Sequence, residues 1–237
     1  MAPCHSSRLA TKLGDRVHLP YAPAMKVSVL MVLSGVTALI DWWAVARNRR
    51  TVELAAKPLT MALLVGVAAS VGDPAADVRT WLVIGATLGL LGDVALLGDG
   101  EVAFMAGLGS FAVGHLSYGV SALLVGFDWA WAIPGVAFLA VLLGFRFIGE
   151  TLPGAKRHGG PVLAGAVVFY AVVISVMVVT AWATGEVLAA GGAVLFSISD
   201  WLLGYQRFVA PIKYGRLGVI VPYHLGQALL IIGLATA

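Results

Sequence analysis

From Met25 to the C-terminus the sequence is a succession of long apolar stretches joined by short polar connections. Roughly 20 apolar residues in a helix cross the hydrocarbon core of a bilayer. Backbone groups in lipid must be satisfied inside their own helix or in a closed barrel. The alternating pattern of a barrel strand is absent, so the stretches predict helices at 25–46, 57–72, 80–98, 102–125, 129–148, 162–183, 186–203 and 217–236. The second is short, and extends back through Val52 if Glu53 and Lys57 lie at the interface. Only 11% of the residues are charged and 60% are hydrophobic, whereas soluble domains carry about 25% charged residues. The chain reads as an all-α polytopic membrane helix bundle of about eight transmembrane helices.

Residues 1–24 are polar and contain Pro3, Pro20 and Pro23 with no apolar period. They lack the continuous apolar core of a signal peptide and read as a disordered N-terminal extension, with 25–237 as a single transmembrane domain. The lone Cys4 can form no internal disulfide. A net charge of +3 with the basic residues in loops argues against a nucleic-acid partner and for charge-set topology. Arg47, Arg49, Arg50, Lys57, Arg146, Lys156, Arg157, Arg207, Lys213 and Arg216 fall on one side of the ladder. They outnumber the basic residues opposite and favour both termini outside the cytoplasm. All the tryptophans fall near predicted helix ends, as interfacial indoles do.

Two carboxylates break this apolar ladder. Asp93 lies near the exit of the third helix and Asp200 near the exit of the seventh. A carboxylate at the bilayer centre costs about 2.5–3.5 kcal/mol even on the insertion scale, so such residues mark polar cavities. A pair of them suggests acid–base chemistry. Lys57 is expected at the entry of the second helix, with Pro58 in the first turn that proline favours. Tyr223, His224 and Gln227 belong to the first half of the eighth helix, and His115 and Tyr118 lie deeper in the fourth. Asp41, beside Trp42 and Trp43, reads as interfacial. The polar groups thus gather in one leaflet, whereas a transporter spreads them around a midplane site.

His115 and Tyr118, Ser197 and Asp200, and Tyr223 and Gln227 each share a helix face. Gly92-Asp93 followed by His115 and Tyr118 is echoed by Ser199-Asp200 followed by Tyr223, His224 and Gln227. The offset of four helices suggests two four-helix halves. Other readings stay open. Either aspartate could be a structural partner of a cation, Lys57 and Arg207 could snorkel, and a proton-carrying transporter or lipid-handling protein fits the same carboxylates. A zinc hydrolase would need His115, His224, Asp93 and Asp200 to converge. Serine-nucleophile and phosphate-loop motifs are absent.

The motifs Lys57-Pro58-Leu59-Thr60, Gly92-Asp93, Phe104, Gly107 and GHLSY (114–118) come in a telling order with Phe196-Ser197-Ile198-Ser199-Asp200, Arg207-Phe208, Tyr223 and Gln227. In this order and spacing the chain resembles the lysoplasmalogenase-like membrane proteins of the YhhN family, from about residue 25 onward. The basic stretch around Lys213 and Arg216 departs from the family pattern. The resemblance implies eight helices, a lyso-lipid substrate among membrane lipids, and hydrolysis of a vinyl ether to a fatty aldehyde and a glycerophospho-alcohol.

Vinyl ether hydrolysis begins with protonation of the outer alkene carbon, which leaves an oxocarbenium ion. Two carboxylates suit this as they suit glycoside hydrolysis. One must be the acid, and its ionised partner steadies the cation and orients water. These roles fall to Asp93 and Asp200, in an order the sequence leaves open. Tyr223, Gln227 and His115 would support them, with Tyr118 and Ser197 on the same faces. Lys57 and Arg207 are the candidates for the lipid phosphate. The reaction needs no metal and no diffusible cofactor.

Overall fold

The computed structural model describes residues 21–237. The expected extension therefore lies outside the described residues, apart from its last four, which open the first helix. The elements are α1 (Tyr21–Ala46), α2 (Arg50–Ala68), α3 (Ala76–Leu96), α4 (Glu101–Val125), α5 (Trp129–Leu142, running into a π-helical segment Leu143–Thr151), α6 (Leu152–Ala183), α7 (Val187–Phe208) and α8 (Gly215–Ala235).

Among the described residues seven apolar helical stretches are long enough to cross a membrane, and one of them, Trp129–Ala183, has 55 residues. At about 1.5 Å per residue that stretch is more than twice the thickness of a bilayer core. It folds back at Gly159 (φ −136°, ψ 20°) and Gly160 (φ 69°, ψ −163°), just before Pro161. Gly160 supplies a left-handed conformation that other residues rarely adopt. The arms on either side pack together, Asp128 N–H donating to the Ala183 carbonyl at 2.8 Å, so the stretch forms two antiparallel helical arms.

Helix α2 corrects the expected boundary. It begins at Arg50, so Lys57 lies two turns inside it and Pro58 is an interior residue rather than a first-turn one. The polar first turns stay helical because Glu53, only 8% exposed at its side chain, is held by Arg50 at 3.3 Å and Arg216 at 2.5 Å. Two indoles also leave the expected interfacial belt. Trp42 donates to His224 Nδ1 at 3.1 Å, and Trp201 lines an internal slot.

The most extensive packing joins α7 to α8 and α3 to α4. Three further pairings repeat with an offset of four helices: α1–α2 with α5–α6, α2–α3 with α6–α7, and α2–α8 with α6–α4; α1–α8 and α3–α8 have no counterpart of similar extent. The main core runs through the bundle centre, with Met61, Leu82, Phe111, Phe196 and Leu230 buried in it. A second cluster of Ala155, Leu163, Val167 and Phe208 lies where both arms of α6 meet the end of α7.

Candidate active site

Asp93 stands in the last turn of α3, its side chain 1% exposed. The preceding Gly92 lets α4 close in, since a Cβ there would lie 2.6 Å from the Phe111 ring. Lys57 Nζ of α2 is 3.0 Å from Asp93 Oδ1. The Tyr223 hydroxyl of α8 donates to Asp93 Oδ2 at 2.7 Å. Both carboxylate oxygens are thus held, one by an ammonium and one by a phenol.

Asp200 lies in α7, two turns before its end at Phe208. It accepts a short hydrogen bond from the Tyr170 hydroxyl of α6, and His115 Nε2 of α4 lies 4.0 Å away. The partners of the two aspartates come from elements related by the four-helix offset: α2 and α8 for Asp93, α6 and α4 for Asp200. Their chemistry differs. Where α2 supplies a cation, α6 supplies a phenol.

Two cavities meet at Asp200. A polar cleft of about 390 Å³ contains Lys57, Asp93 and Tyr223, with Arg50, Glu53, Asp99, Arg207 and Arg216 towards its mouth. A narrow apolar slot of about 80 Å³ runs between α4, α5, α6 and α7 past Tyr170, Ala171, Ile174 and Ser197. The two share a wall of Leu96, Phe104, Phe111, Asp200 and Leu203. Among the described residues Asp200 is the one ionisable side chain lining both.

The other expected residues divide between these cavities and a layer beneath them. Arg207, exposed in the last turn of α7, lines the cleft with its guanidinium 5.0 Å over the Phe104 ring. The Ser197 hydroxyl is turned back to the Ala193 carbonyl at 2.7 Å. The Tyr118 hydroxyl donates to Gln227 Oε1 at 2.6 Å; both are buried, and neither lines the cleft or the slot. His115 is buried edge-to-face against Phe196, ring centroids 4.5 Å apart, with no hydrogen bond to either nitrogen. His224 is turned to Trp42, away from any shared site with His115. Among the described residues no three His, Cys, Asp or Glu side chains group as metal ligands.

Sequence reasoning missed three participants. Tyr170 carries the one hydroxyl in the run VVFYAVV, and a buried phenol usually has a partner, which was the available signal. Glu53 and Arg216 pair across the mouth of the cleft, and nothing in the sequence ties α2 to the start of α8. Asp41 is fully buried rather than interfacial.

A profile described as the YhhN family matches residues 52–234. Relatives include a protein named lysoplasmalogenase TMEM86B from Sus scrofa, 30% identical over 54% of this chain and 52% of its own. The Homo sapiens protein of that name is 27% identical over 59% and 57%, and the Rattus norvegicus one 30% over 64% and 60%. The chain thus spans between half and two thirds of the length of these curated relatives. No solved structure matches.

Proposed function

The chain belongs to the YhhN family, and from that premise we propose that it is a lysoplasmalogenase-like hydrolase of a multi-pass cell-membrane protein class. It cleaves the vinyl ether of a lysoplasmalogen to a fatty aldehyde and a glycerophospho-alcohol. The observation that carries this reading is the placement of Asp200 on the wall between a polar cleft and an apolar slot. A single-chain lipid with its head in the cleft and its chain in the slot would cross that wall at the bond between head and chain.

The two carboxylates take different parts. Asp93, with an ammonium and a phenol on its oxygens, is the ionised member. Asp200, bonded to a phenol and bordered by apolar side chains, is the acid. Asp200 gives its proton to the outer vinyl carbon, and the ether oxygen shares the resulting positive charge. Water adds to the inner carbon as Asp93 takes its proton, which leaves a hemiacetal. The Asp200 carboxylate then removes the hemiacetal hydroxyl proton while Asp93 returns its own to the departing oxygen. Aldehyde and alcohol form, and both groups are back in their starting states. Arg207 at the mouth of the cleft meets the lipid phosphate, and Lys57, engaged with Asp93, acts on the carboxylate.

The test is aldehyde release by the purified chain in detergent, with a lysoplasmalogen and its saturated ether analogue side by side. Aldehyde from the vinyl ether alone, lost in Asp200→Asn, supports the reading. No aldehyde from folded protein overturns it and leaves transport or another lipid as the activity.

A further inference from the structure

Asp41 is the least expected residue of the bundle. Its residue is 0% exposed, and neither carboxylate oxygen has a hydrogen-bond partner among the described residues. Buried polar groups are nearly always paired, and an unpaired one is costly to keep. Asp41 also lies outside the stretch matched by the family profile, which begins at residue 52.

Its surroundings suggest why it is there. Helix α1 packs along α2, where the Thr60 hydroxyl donates to Thr37 Oγ1 at 3.0 Å, so Asp41, one turn after Thr37, comes level with Lys57, one turn before Thr60. Glu53 is saturated by Arg50 and Arg216. Asp93 already holds Lys57 at 3.0 Å. The neighbouring His224 is tied at Nδ1 to Trp42. Among the described residues Asp41 is therefore the carboxylate level with Lys57 whose acceptor capacity is wholly in reserve.

The functional reading above has Asp93 alternate between carboxylate and neutral acid. In the neutral half of that cycle the Lys57 ammonium would be a buried charge without a counterion, an arrangement that is strongly destabilising. We infer that Asp41 is the second counterion of Lys57, a positioning residue that receives the ammonium whenever Asp93 is neutral. The inference rests on that reading for its purpose, but the exchange itself can be tested without turnover.

Asp93→Asn freezes the neutral state. Melting of the full chain in detergent is compared for Asp41→Asn in the wild-type and Asp93→Asn backgrounds. The expected result is a melting temperature that falls on the order of 10 °C further in the Asp93→Asn background. Adding Lys57→Met, which removes the cation needing a partner, should abolish that excess. Equal losses in both backgrounds overturn the inference. If Asp41→Asn/Asp93→Asn gives no folded protein, the triple variant decides: recovery of folded protein supports the exchange and continued failure overturns it. Aldehyde release plays no part in these outcomes, so failure of the functional reading is seen separately.

Discussion

Lys57 Nζ lies 3.0 Å from Asp93 Oδ1, between two helices that meet at a carboxylate 1% exposed. The ion pair sits beneath the mouth of the cleft, where the Glu53–Arg216 pair joins α2 to α8. A residue whose motif suggested a lipid phosphate ligand is turned inward, onto the carboxylate. This divides the cationic groups of the cleft by depth, with Lys57 acting on the protein and Arg207 left at the opening.

Removing Lys57 leaves the buried Asp93 carboxylate without its cation. Lys57→Met should cost about 3–5 kcal/mol of stability. The double variant Lys57→Met/Asp93→Asn should regain most of it, because neither charge remains. Thermal melts in one detergent measure both, and a double variant no better than the single would count against a direct pair.

Tyr170 donates to Asp200 and borders the slot. Tyr170→Phe keeps the ring and loses the donor, worth about 1–3 kcal/mol to a charged acceptor. If the Asp200 carboxylate forms during the reaction, kcat should fall by about ten- to a hundredfold with KM nearly unchanged. Steady-state aldehyde release over a substrate series gives both constants.

Ala171 and Ile174 face the slot from α6. From Ser197 to Phe208 the slot follows about 16 Å of α7. Ala171→Phe should fill part of this space and shift preference towards shorter chains, lowering kcat/KM for a long-chain lysoplasmalogen by at least about tenfold relative to a short one, equivalent to 1.4 kcal/mol or roughly two methylenes. Competition between the two substrates in one reaction reads the ratio directly.

Gly92 and Gly109 make a contrasting pair. A Cβ on Gly92 would lie 2.6 Å from the Phe111 ring, whereas one on Gly109 meets nothing within 4 Å. Gly92→Ala should destabilise by about 1–3 kcal/mol through overpacking and disturb the neighbouring Asp93. Gly109→Ala should be neutral or stabilising, by up to about 1 kcal/mol in helix propensity. Paired melts and turnover of the two variants test the close approach of α3 and α4.

The sequence by itself determined the all-helical bundle and singled out the two carboxylates within its apolar helices. It determined these because the cost of placing a polar group in lipid belongs to each residue separately and accumulates along the chain. Hydropathy placed most helix ends within a few residues, and erred at α2 because a paired charge lowers that cost: Glu53 between Arg50 and Arg216 keeps the first turns helical. Which group meets which carboxylate was decided only by tertiary structure. Rotation of a helix about its axis carries a side chain by about 100° per residue, so small changes in packing choose between lipid, a neighbour and a cavity. That choice turned Lys57 to Asp93, brought Tyr170 to Asp200 and buried Asp41 inside the bundle.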